Sequence, residues 1–234
     1  MPESTILLAI DTCGPSGSVA LGRISGQSVE ILGQIDLEGR SYSSTLVAAV
    51  GELLVRNGLR FVEVGAIAVV NGPGSFTGVR VGLAAVKGLA EATQIPVVAV
   101  SRLEILAAKS GVPWVALDAH RHEIFLRLGL PDEQGRELLA GPRELAGIVP
   151  APRQIALCDE AAALLLASEW PATELIRTAP PTAADALMLS APRVSAGEFV
   201  DLALLDGHYL RRSDAEIFGA ENSGELSAVS AQKP

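Results

Sequence analysis

Two aspartates, three histidines and one glycine-rich loop are the groups of this chain whose types and spacing suit chemistry. Asp11 stands in Asp11-Thr12-Cys13-Gly14 and Asp118 in Asp118-Ala119-His120-Arg121, each at the end of an apolar run. Carboxylates on two facing hairpins can grip a metal-bound phosphate, with Thr12 beside the first. Their plainer role is to accept hydrogen bonds from turn amides. His120 and His122 are two residues apart, next to Glu123. On a strand both imidazoles would point the same way, and two His with Glu could hold a metal. No third His or nearby Cys completes such a site, so a solvated hairpin tip is expected. His208 falls in the loop-like segment Asp206–Arg212. Ser75 has no evident His partner and no Gly-x-Ser-x-Gly elbow is present, which argues against serine nucleophilic catalysis.

The loop is Asn71-Gly72-Pro73-Gly74-Ser75-Phe76-Thr77-Gly78-Val79-Arg80. Gly72, Pro73, Gly74 and Ser75 shape an irregular turn between a strand and a helix, since Gly reaches backbone angles closed to other residues. The free N–H groups of the helix start can bind an anion or a partner's carboxylate. Val79 and Arg80 stand where a Walker A loop has Lys and Ser/Thr. Gly72, Gly74 and Gly78 loosely imitate a dinucleotide fingerprint, with Arg102 placed to face a ribose phosphate. That fingerprint belongs to a first βαβ unit, and here three strands and a helix come first. Arg80 opposes the dipole at its helix start, so it needs an acidic partner. Asp11 or Glu104 would serve within the chain; a partner protein or nucleotide would serve outside it.

These groups must be positioned by elements that punctuation and periodicity reveal. Thr5–Ile10, Ser18–Arg23 and Val29–Asp36 read as an antiparallel meander. Ser43–Asn57 reads as a helix, with Leu46, Val50, Leu53 and Leu54 on one face and Gly58 as the stop. Strand Ala66–Val70, helix Gly78–Thr93, strand Pro96–Val100 and a helix to Lys109 follow, the last opened by a Ser101–Glu104 capping box. The order then recurs. Strands are expected at Pro113–Asp118, Glu123–Leu130 and Arg136–Ala140, with Gly129–Gly135 turning between the last two. After them come helix Pro142–Ile148, strand Gln154–Cys158, helix Glu160–Ser168, strand Glu174–Arg177 and helix Thr182–Leu189. The pattern βββαβαβα thus appears twice in this α/β chain, which predicts two lobes, residues 1–110 and 111–214, and a polar tail, 215–234. Paired hairpins carrying Asp occur in actin-like kinases and ATPases.

The helix after the loop carries Gly78, Gly82, Ala85 and Ala92, with Gly88 nearby. Interior glycines cost about 0.5–1 kcal/mol each relative to alanine, so close approach of another helix is expected. The neighbour is either the internal helix Ser43–Asn57 or a second subunit, with Leu46, Val50, Leu53, Gly78, Arg80, Gly82 and Ala85 at the interface. The 234 residues are 49% hydrophobic and 19% charged, with a net charge of −9. That charge excludes nucleic-acid binding by bulk electrostatics, because phosphate contacts need a basic surface. Cys13 and Cys158 form neither a disulfide framework nor a metal cluster, and two reduced thiols are expected. No apolar run is long enough to span a membrane and no basic leader precedes the first one, so a cytoplasmic location is expected.

Ile6–Thr12 with Ser18–Leu21, then Asn71–Arg80 and Ile95–Ser101, resemble the TsaB (YeaZ) family. The resemblance runs through residues 5–110 and on through Asp118-Ala119, Glu123-Ile124-Phe125 and Tyr209-Leu210-Arg211. It implies an actin-like (ASKHA, RNase H-like) fold of two lobes. It implies a non-catalytic dimerisation subunit that binds the threonylcarbamoyltransferase TsaD, with TsaE, for threonylcarbamoylation of the adenosine next to the tRNA anticodon. A homodimer in isolation, indirect contact with tRNA, no tightly bound cofactor, and ATP only at a shared interface go with that reading. TsaD carries a His-x-x-x-His metal pair where Ser101 and Ile105 stand here, so a metal site and the old metallopeptidase label are not expected. The alternative is an actin-like ATP-binding enzyme or ATPase in which Asp11, Thr12 and Asp118 face nucleotide. Tyr42 replaces a common His of the family, Ala48 a Pro and His120 an Arg, which leaves the fold intact and alters local contacts.

Overall fold

The computed structural model describes residues 4–26, 28–39, 41–130 and 135–211. The expected tail, 215–234, lies outside them. The first half runs β1 (Thr5–Asp11), β2 (Ser16–Ser25), β3 (Ser28–Glu38), α1 (Tyr42–Arg56), β4 (Val64–Val70), α2 (Phe76–Thr93), β5 (Val97–Val100) and α3 (Arg102–Ser110). The second repeats the order: β6 (Val115–Asp118), β7 (Ile124–Arg127), β8 (Glu137–Ala140), α4 (Pro142–Ala146), β9 (Gln154–Leu157), α5 (Glu160–Glu169), β10 (Glu174–Arg177) and α6 (Ala183–Ala196). Each half forms a five-stranded sheet, ordered β3-β2-β1-β4-β5 and β8-β7-β6-β9-β10. In both, the first three strands pair antiparallel and the last two join in parallel. The chain has the two-lobed actin-like fold.

Strand β1 is closed to solvent from Leu7 to Asp11 because helices cover both faces of its sheet. Leu53 of α1 packs over Gly33, and Leu187 of α6 packs over Gly22. The third helix of each half crosses to the other lobe. Leu103 and Leu106 of α3 join the core of Val115, Leu117 and Phe125. Ala183, Ala186, Leu187, Ala191 and Val194 of α6 join the core of the first sheet. The two sheets thus lie on separate stretches of the chain, Thr5–Val100 and Val115–Arg177, while α3 and α6 pack across from one to the other. Lys109 pairs with Asp185 at 2.7 Å, and Arg193 with Glu104, so ion pairs tie the exchanged helices together.

Several local expectations change. Ser101 caps α3 by accepting from Leu103 N at 3.2 Å, but Glu104 reaches Arg193 instead of closing a capping box. Helix α6 continues past Leu189 to Ala196 through Pro192, which lies on its exposed side. His120, Arg121 and His122 take φ values of 60°, 56° and 59°. That left-handed turn replaces the strand geometry on which a shared imidazole direction depended. No helix among the described residues is long and apolar enough to cross a membrane.

Candidate functional site

The glycine-rich loop spends its backbone groups inside the fold. Asn71 N donates to Val100 O at 3.1 Å and Ser75 N to Cys13 O at 2.8 Å. Gly72 O accepts from Arg102 N, and Asn71 O from His208 N, both at 2.7 Å. Gly72 has φ +112°, a conformation that L side chains rarely adopt. A Cβ at Gly74 would overlap the carbonyl of Cys13. Ser75 then starts α2, its Oγ accepting from Gly78 N at 3.3 Å. Gly72, Pro73, Gly74 and Ser75 thus lock the turn against the β1–β2 hairpin, and one free donor of the helix start is already taken.

The groups expected to face a nucleotide on that hairpin are closed off. Asp11 and Thr12 are each 1% exposed. Thr12 Oγ1 donates to Gly78 O at 2.7 Å, and Asp11 Oδ1 accepts from Cys13 N at 2.8 Å. Arg102 Nε lies 3.9 Å from Asp11 Oδ2 and has no hydrogen-bond partner. At that separation burial outweighs the guanidinium, and the Asp11 carboxyl is pushed up from its ordinary range. Tyr42 donates from its hydroxyl to Gly14 O at 2.9 Å, and burial pushes its phenol up to about 12. Tyr42 and Arg102 pack against this hairpin: a Cβ at Gly14 would meet Arg102 Nη2 at 2.5 Å, and one at Gly17 would meet the Tyr42 ring at 2.8 Å.

Asp118 repeats the turn role of Asp11. Its Oδ1 accepts from His120 N at 2.8 Å, as Asp11 accepts from Cys13 N. Its Oδ2 lies 2.8 Å from His120 Nδ1. Both aspartates are therefore the turn-bonding residues that their hairpins require. Among the described residues, no group of three or more His, Cys, Asp and Glu is arranged to hold a metal. At the position of the absent His pair, Ser101 donates to Glu137 at 2.6 Å and Ile105 is core.

The expected interface residues divide. Leu46, Val50 and Leu53 are 2%, 4% and 2% exposed, so they belong to the protein's own core and cannot touch a partner. Gly78 and Gly82 face inward too: a Cβ at either would overlap Thr12. Their smallness lets α2 approach the hairpin, not a second subunit. Ala85 is half-buried, and Arg80 is exposed. Arg80 has neither expected acid, for Asp11 faces Arg102 and Glu104 holds Arg193. Its Cζ lies 3.8 Å from the Phe76 ring centre, and its Nε donates to the Tyr209 hydroxyl at 3.4 Å.

The outward stripe is a different set. On α1, Val47 and Val55 are 63% and 78% exposed, with Ala48 and Gly51 between them. On α2, Arg80, Ala84 and Gly88 are exposed at four-residue spacing, and a Cβ at Gly51 or Gly88 would meet nothing within 4 Å. Two valines on the solvent side of an amphipathic helix were the available signal. Sequence reasoning also missed the cluster around Glu137. Ser101, Arg127 and His208 converge on its carboxylate at 2.6–2.9 Å and join α3, β7, β8 and the C-terminal segment.

A family model described as TsaD, tRNA N6-adenosine threonylcarbamoyltransferase, matches residues 36–129. The tRNA threonylcarbamoyladenosine biosynthesis protein TsaB of Haemophilus influenzae is 34% identical over 131 residues, 53% of this chain and 53% of that protein. The protein of the same name in Escherichia coli is 33% identical over 135 residues, 55% of this chain and 57% of its own length. The matches thus span about half the length of these curated relatives. The solved structure of YeaZ from Pseudomonas aeruginosa superposes with a TM-score of 0.70 at 29% identity, over 88% of this chain and all of that one. With the doubled sheet order and the glycine-rich loop locked onto the first hairpin, these likenesses make the chain similar to TsaB (YeaZ) proteins, in sequence over about half its length and in fold over most of it.

Proposed function

We propose that this chain is a non-catalytic partner subunit in the biosynthesis of tRNA threonylcarbamoyladenosine, binding a TsaD-like transferase together with a TsaE-like ATPase. The observation that carries the reading is the contrast between the two faces of α1 and α2. The inner faces are consumed by the core and the hairpin. The outer faces leave Val47, Gly51 and Val55 of α1, and Ala84 and Gly88 of α2, in solvent. Small residues in such rows let helices approach toward the near end of about 8–10 Å, and exposed apolar patches of this kind mark partner sites.

In the absence of the partner, the same stripe joins two copies of this chain. ATP belongs at an interface shared with the partner, because Asp11 and Thr12 are buried and hydrogen-bonded within the fold. The same burial weighs against an ATPase built on Asp11 and Asp118. With a net charge of −9, the chain meets tRNA through its partners, in the cytoplasm.

Light scattering tests the reading. The chain alone should have the mass of a dimer, and adding the TsaD-like subunit of the same organism should give a mixed complex. Gly88→Leu, which meets open space in the monomer, should abolish both. A wild-type chain that stays monomeric with and without that subunit would overturn the reading.

A further inference from the structure

The geometry points to Arg80 as the polar hot spot of the α1–α2 face, poised to receive a carboxylate of the partner subunit. This inference rests on the partner reading above. Arg80 begins the exposed row Arg80, Ala84, Gly88, so it lies on the stripe a partner helix would follow. Its guanidinium is held on two sides. Phe76, one turn earlier, lies beneath Cζ at 3.8 Å, and the Tyr209 hydroxyl takes the Nε hydrogen at 3.4 Å. The two rings lie against each other, with centroids 5.3 Å apart.

Tyr209 is fixed in turn by its neighbours. His208 donates its backbone N–H to Asn71 O at 2.7 Å, and its Nε2 lies 2.9 Å from Glu137. Arg211 pairs with Glu123. The segment around Tyr209 is therefore pinned to both lobes, and it holds the Arg80 side chain in place before any partner arrives. Pre-ordering of this kind removes the entropy that a free arginine would lose on binding.

What the guanidinium lacks is an acid. No described carboxylate lies within ion-pair distance of Arg80, whereas Glu137 already holds Arg127, Glu123 holds Arg211 and Glu104 holds Arg193. Helix α2 starts at Phe76, one turn before Arg80, so the dipole penalty expected from the sequence does not reach it, and its need for an acid rests on the unpaired charge alone. The planar fork matches one carboxylate through paired hydrogen bonds. Exposed Phe, Tyr and Arg together have the composition of interface hot spots, with the rings excluding water around the charge. The chain's net charge of −9 repels a polyanion at long range and leaves a single protein carboxylate as the fitting occupant.

The test measures affinity for the TsaD-like subunit, using the full chain. Arg80→Ala should weaken association roughly tenfold or more. Arg80→Lys should recover only part of it, because an ammonium neither forks nor stacks as a guanidinium does. Tyr209→Phe should produce a smaller loss. Raising the salt should weaken the wild type more than Arg80→Ala. All three variants should melt with the wild type, since Arg80 is exposed. Equal affinities of wild type and Arg80→Ala would overturn the assignment, as would a loss tracking a fall in melting temperature. If Arg80→Ala keeps its affinity for the subunit and loses binding of tRNA, the occupant is a phosphate and the assignment fails. A wild type that does not associate at all would overturn the underlying partner reading instead.

Discussion

Gly82 and Gly88 lie on the same helix and should respond to alanine in opposite directions. At Gly82 a Cβ would overlap Thr12 Oγ1, the atom that donates to Gly78 O at 2.7 Å. Thr12 is 1% exposed and sits where β1 meets the hairpin, so it has nowhere to retreat. Overpacking at such a site costs about 1–3 kcal/mol. Losing the Thr12 bond adds about 0.5–1.5 kcal/mol. The helix preference for Ala over Gly returns about 0.5–1 kcal/mol. The net destabilisation is about 0.5–4 kcal/mol, a fall of about 1–16 °C in melting temperature for a domain of this size. At Gly88 a Cβ meets nothing within 4 Å. Only the helix preference remains, and Gly88→Ala should melt about 1–4 °C higher. Differential scanning calorimetry of both variants reads the two signs. A Gly82→Ala protein as stable as the wild type would refute the claim that this glycine serves the approach of α2 to the hairpin. It would restore Gly82 as a candidate subunit contact.

Other perturbations probe the same account. The Asp11 carboxyl is raised by burial above its ordinary 3.8, so the folded chain holds that proton more tightly than the unfolded one. The resulting stabilisation is complete below the unfolded value and lost as pH rises through the folded one. The stability of wild type minus that of Asp11→Asn should therefore decline from about pH 4 upward, and urea melts showing a rising difference would contradict it. Tyr42→Phe leaves the buried carbonyl of Gly14 without its donor. It should cost about 1–3 kcal/mol in urea melts while affinity for the partner is kept. The isolated chain should show no ATP turnover above background, and turnover removed by Asp11→Ala would revive the ATPase alternative.

The repeated sheet order was legible because short apolar runs bounded by turn residues or Pro recur in the same order in both halves. The exchange of α3 and α6 was not, since it rests on contacts such as Leu187 over Gly22 that join distant parts of the chain. The interface error has a specific cause. Leu46, Val50 and Leu53 show helical periodicity because they face the core, and periodicity alone reports the intramolecular face. The informative residues were Val47 and Val55, apolar where a solvent-facing helix side should be polar. The small residues of α2 likewise serve two masters. Gly78 and Gly82 fit the hairpin, whereas Gly88 fits nothing within the chain. Asp11 and Asp118 were correctly placed at strand ends, but Tyr42 and Arg102, which close the first hairpin, come from elements far along the sequence.

The central claim is that the chain supports tRNA threonylcarbamoylation by binding a catalytic partner through the outer face of α1 and α2. Reconstitution with the TsaD-like and TsaE-like proteins of the same organism, assayed by threonylcarbamoyladenosine in tRNA, tests it most directly. The account predicts that modification requires this chain and is restored by Asp11→Asn protein. It also predicts that Gly88→Leu protein, though folded, fails to restore it. Full modification without the chain, or with the Gly88→Leu variant, would contradict the claim.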